Sequence, residues 1–121
     1  MKVAVTLVFA AGLAVAPLGY AADEQAEGGG TKEITGEIVD MMCYVDHNAV
    51  GAKHAECGEK CIKNGGPVGI VSEGKAYLVV GAHKPMNDEL APLAGKTVTL
   101  KGKLASNGGM SMLENAEIVK K

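Results

Sequence analysis

The stretch that decides the fold is Thr97 to Val119, TVTLKGKLASNGGMSMLENAEIV. In its first half, Val98, Leu100 and Leu104 fall on one side of an alternating run. Thr97, Thr99, Lys101 and Lys103 fall on the other, the period-two pattern of a strand with one buried face. Ser106-Asn107-Gly108-Gly109 supplies turn chemistry, and Met110 to Val119 reads as the returning strand.

Working outward, the same pattern recurs in shorter pieces. Glu33 to Val39 reads as a first strand with Ile34 and Ile38 on one face. Val68–Val71 and Ala76–Val80 flank Ser72-Glu73-Gly74-Lys75 as a hairpin. Gly51 to Asn64 predicts the one helix of any length: Lys60 and Lys63 occupy its last turn, and Asn64-Gly65-Gly66-Pro67 stops it. Asn87 to Leu93 predicts a short helical turn ahead of Gly95. Five strands, one principal helix and 17 glycines in the chain suit a small OB-like five-stranded barrel, in which glycines permit tight corners and bulges. A small α+β sandwich is the alternative.

The N-terminus has the composition of an export signal. Lys2 supplies a positive end, Val3 to Ala16 form an apolar stretch, and Pro17-Leu18-Gly19-Tyr20-Ala21 ends in small residues at the −3 and −1 positions. The apolar run is shorter than the roughly 20 residues a membrane span needs, and Pro17 and Gly19 fall where a spanning helix would continue. Cleavage after Ala21 is expected, giving a periplasmic or secreted product with no membrane anchor. Residues 22–31, acidic and then glycine-rich, read as a flexible tether. The folded unit is expected over residues 32–121, a single domain of common size.

Without Lys2, 11 of the chain's 12 basic residues remain against 14 acidic ones, a net charge of −3 with no arginine anywhere. Residues 22–121 hold no Phe or Trp, and their only tyrosines are Tyr44 and Tyr77. Nucleic-acid binders need a basic surface, and single-strand binders add stacking aromatics; this chain has neither. It also lacks a phosphate-binding glycine loop, a serine nucleophile elbow and a C-x-x-C-H haem motif. Hydrolase and transferase chemistry find no support.

The chemistry is concentrated between Asp40 and Cys61. All three cysteines and two of the three histidines lie there. His54, Cys57 and Cys61 stand at i, i+3 and i+7, within about 60° on one helical stripe. Cys43 follows the first strand, from which a barrel can deliver it beside the helix. Cys43, His54, Cys57 and Cys61 form a Cys3His set, a complete tetrahedral shell for zinc and a suitable one for copper(I). His47 could replace His54 or support it, and Asp40 could orient a ligating imidazole. Met42, with Met41, adjoins Cys43, while Met110 and Met112 share the last strand; thioethers favour copper(I) over zinc, although methionine is commonly core filler. His83 reads as a surface loop residue.

Two competing readings stay open. Export permits disulfides, and three cysteines allow one bridge and a spare thiol, giving a stapled, non-enzymatic module for a protein partner. Cys57–Cys61 is the poorest pair for such a bridge: helical residues four apart have Cβ atoms roughly 5–6 Å apart, and a bridge wants about 3.5–4.5 Å. Thiol–disulfide redox is the third reading. It is disfavoured because an attacking thiol gains from a helix N-terminus, and both helical cysteines are expected further along. Gly58, beside Cys57, costs about 1 kcal/mol relative to alanine and is either tolerated or marks a close approach.

Thr35-Gly36-Glu37-Ile38-Val39-Asp40, Cys43, His54-x-x-Cys57-x-x-x-Cys61, Gly65-Gly66-Pro67 and Leu93 to Gly102 together resemble small exported bacterial domains that carry an OB-like barrel and a D-x-x-C … H-x-x-C-x-x-x-C cluster. The resemblance covers most of residues 33–119 and implies the barrel and export. It brings no assigned activity.

Overall fold

A computed structural model describes residues 30–121. The expected signal peptide, and the tether up to residue 29, lie outside the described residues. The chain forms β1 (Thr31–Asp40), α1 (Met41–His47), α2 (Ala55–Lys63), β2 (Val68–Ser72), β3 (Lys75–Val79), α3 (Asn87–Leu90), β4 (Thr97–Asn107) and β5 (Met110–Lys120). Single 3-10 turns at Ala52–His54 and Ala91–Leu93 precede α2 and follow α3. No helix among the described residues is long and apolar enough to cross a membrane.

The strands close in the order β1-β2-β3-β5-β4, a small OB-like barrel rather than a sandwich. Every neighbouring pair is antiparallel except β3–β5, which runs parallel and closes the cylinder. The alternation read from sequence is the alternation of burial. Val98, Leu100 and Gly102 point inward from β4, where Leu100 pairs with Ile34 of β1. Ile38, Ile62, Ile70, Leu90, Leu100 and Leu113 are fully buried and form the centre of the core. At roughly 1.5–3 kcal/mol for each large apolar side chain buried, this barrel core supplies the main stabilisation without help from the cysteines.

The helices sit on the barrel where β1 ends. Ile38 N–H donates to Lys96 O at 3.1 Å, and Gly95 N–H donates to Ile38 O at 2.8 Å. This bridge pulls the segment after α3 against β1. Asn87 Nδ2 donates to Ile62 O at 2.7 Å and Gly66 O at 2.8 Å, taking up carbonyls at the end of α2. Gly58 is buried, and a β-carbon there would lie 3.3 Å from Ala94 Cβ and 4.0 Å from Asp40 N. It marks a close approach: α2 is seated against both the β1 end and the Ala94 turn.

Two local features depart from the sequence reading. Met41–His47 is a helix, where no element had been expected. Asp40 ends β1 and caps this helix at once: its Oδ1 accepts the Cys43 N–H at 2.9 Å, and Asn48 closes the other end in the left-handed region. The helix expected over Gly51–Asn64 is divided, with a 3-10 turn through His54 and the α-helix proper beginning at Ala55. Gly51, at φ 81°, sets the chain into that turn.

Candidate metal centre

Cys43 stands in the first turn of α1, and Cys57 and Cys61 stand one turn apart on α2. Their three sulfurs lie within 4.8 Å of one another. Two short helices, one anchored by the Asp40 cap and the other by the Gly58 contact, bring together residues up to 18 positions apart. Cys57 is exposed, and Cys43 and Cys61 are half-buried. Three cysteines so arranged can hold a metal ion: thiolates are soft donors that suit copper(I), zinc and iron–sulfur chemistry.

The divided helix decides where the other expected residues lie. A spacing of about 100° per residue holds from Ala55 onward, so it aligns Cys57 and Cys61 and stops short of His54, whose backbone (φ −105°, ψ 0°) belongs to the N-cap. His54 stands apart from the three-sulfur group but lines the same small cleft as Cys43 and Cys57. That cleft, closed by Glu37, Asp40, Gly58 and Ala94, leaves only about 10 Å³. It has room for a single water-sized species and none for an organic substrate. His47 is exposed at the end of α1, its ring centroid 6.1 Å from that of His54 and its Nδ1 3.6 Å from Asp46 Oδ2. Met42 projects outward beside Cys43, and Met110 is exposed at the start of β5. His83 lies in an exposed turn at φ 56°.

The divided helix also moves Cys57 from mid-helix into the first turn of α2. The objection to redox chemistry drawn from helix position therefore applies to Cys61 alone.

Asp40 is the one buried charged residue among the described residues, 3 % exposed. Its Oδ2 is buried with no hydrogen-bond partner, and no lysine or histidine pairs with it. The lysines of α2 pair within their own helix, Lys60 with Glu56 at 2.7 Å and Lys63 with Glu59. Gly66 makes room for this carboxylate, since a side chain there would collide with Asp40 Oδ2 and with the Cys61 carbonyl. Hydrogen bonding to the Asp40 carboxylate, then burial and the carboxylate's negative charge, push the Cys43 thiol up to about 12. Burial also raises Cys61. The pocket is thus rich in anions and potential anions and contains no cation of its own, so a bound metal ion would supply the missing charge.

No family model, curated relative or solved structure matches this chain.

Proposed function

We propose that this is an exported metal-carrying domain that holds one soft ion on the thiolates of Cys43, Cys57 and Cys61, with His54, which lines the same cleft as Cys43 and Cys57, a candidate fourth donor. The observation that carries the reading is the convergence of all three cysteine sulfurs from two separate helices. Copper(I) is the favoured ion. Three thiolates satisfy it without a fourth protein ligand, and the partly exposed sulfurs suit exchange better than permanent retention. A structural zinc site is the weaker variant, because the barrel already has a closed core of its own. Export rests on the character of residues 1–21.

The purified chain, reduced and analysed for elements in its native state, should carry one metal ion per chain. Its three thiols should become reactive only after a chelator is added. One reactive thiol and no metal would instead identify a disulfide-stapled module that presents its outer face to a protein partner.

A further inference from the structure

A second sulfur-bearing surface opens directly onto the cysteine group. Met41, Met42 and His47 of α1 and Met110 of β5 line one groove of about 840 Å³, together with Pro67 and Leu78. Met42 is 66 % exposed and Met110 is 62 % exposed, although the two are 68 positions apart in sequence. A single exposed apolar side chain is ordinary. Here several thioethers and an imidazole share one groove, and Cys43 lines both it and the small cleft with Cys57 and His54. Cys43 therefore joins a wide methionine-lined vestibule to the small cleft that Cys57 and His54 also line.

We propose that this groove is the loading and unloading route for copper(I), with Met42 and Met110 as transient ligands that hand the ion to Cys43. The proposal rests on the metal-carrying reading and adds the path by which copper(I) enters and leaves. Thioethers bind copper(I) well and zinc poorly, so such a vestibule selects between the two before either reaches the cysteines. The hand-over is a ligand exchange. A copper–thioether bond breaks as a copper–thiolate bond forms, the thiol's proton passes to solvent, and copper stays in the +1 state throughout. Thioethers hold the ion more weakly than thiolates, so the gradient of affinity runs inward.

The test uses the full reduced chain under anaerobic conditions. Copper(I) is delivered from, and withdrawn by, a coloured copper(I) chelator, with zinc delivery as the parallel control. The variant is M42L/M110L, which conserves volume at two exposed positions and so keeps the fold. Expected are unchanged copper stoichiometry, copper loading and release slowed about tenfold, and zinc loading unaltered. Copper rates equal to those of the unaltered chain would overturn the proposal and leave the three-thiolate site standing. Equal slowing for copper and zinc would also overturn it, by showing that the substitutions act through packing. If the unaltered chain retains no copper(I), the carriage reading falls, and the route falls with it.

Discussion

Asp40 acts on Cys43 in two ways. The Asp40 Oδ1 accepts the Cys43 N–H at 2.9 Å, and the same carboxylate holds the Cys43 thiol in its protonated form. One side chain therefore fixes the start of α1 and the chemistry of its third residue. The two roles separate on substitution. Asp40→Ala removes the cap and should cost the metal-free domain about 1 kcal/mol. Asp40→Asn keeps an acceptor for the N–H and removes the buried charge, so it should be the more stable of the two by chemical denaturation. In both variants the Cys43 thiol should titrate below about 12, as followed by thiolate absorbance. A Cys43 titration that does not move would show that burial and the neighbouring Cys61, rather than the carboxylate, set it.

The same raised pKa fixes the sign of the pH dependence. Cys43 rises in the fold from its ordinary 9.0 to about 12, so the folded domain holds that proton more tightly than the unfolded chain. The associated stability is fully present below pH 9 and is lost as pH rises from 9 towards 12. Metal loading runs the other way. Each thiol must surrender its proton to the incoming ion, so affinity should rise about tenfold per pH unit for each proton released. Denaturation midpoints of the metal-free form, and competition titrations of the loaded form, should therefore slope in opposite directions. A flat metal affinity between pH 6 and 8 would exclude thiolate ligation.

Gly58 tests how tightly α2 is held. Alanine gains about 1 kcal/mol of helix propensity, but its methyl group would meet Ala94 Cβ at 3.3 Å. Gly58→Ala should come out near neutral. Gly58→Leu would overpack the contact and should cost about 1–3 kcal/mol. It would also lift Cys57 and Cys61 away from Cys43, so metal should be lost in step with stability. A leucine variant that keeps both would mean that the Ala94 contact does not position the helix.

The strands were legible because their signal is local. Val98 and Leu100 alternate with Thr97 and Lys101 in sequence as they do in burial, and the Gly108-Gly109 turn admits one reading. The parallel β3–β5 pairing that closes the barrel left no such trace, because no local pattern specifies which distant strand Leu78 will meet. At the site, the convergence of Cys43 on the helical cysteines could be expected from their clustering. The helix that carries Cys43 could not be read so readily, being seven residues long with no buried residue to give it an apolar stripe. Its one signal is Asp40, three residues ahead of Cys43, a capping residue without the reciprocal Glu or Gln that would complete the motif. The fate of His54 depended on a 3-10 turn at Ala52–His54, and one turn of different pitch is enough to redirect a side chain.

His54 and Cys61 then separate the ligand set from its surroundings. Cys61→Ser replaces a half-buried thiol by a hydroxyl of similar size, on a helix whose core contact is made by Ile62. The barrel should stay folded by circular dichroism while metal content falls. His54→Ala removes a side chain that lines the cleft beside Cys43 and Cys57 without belonging to the sulfur group. If the ion is held by three thiolates alone, that variant keeps its metal and exchanges it faster, because the cleft is less closed. If the imidazole completes a tetrahedral shell, occupancy falls as it does for Cys61→Ser, and zinc becomes the better-suited ion. Elemental analysis of the two variants side by side therefore reads out both the number of ligands and the class of metal. Unchanged occupancy in Cys61→Ser would remove the three-thiolate site altogether.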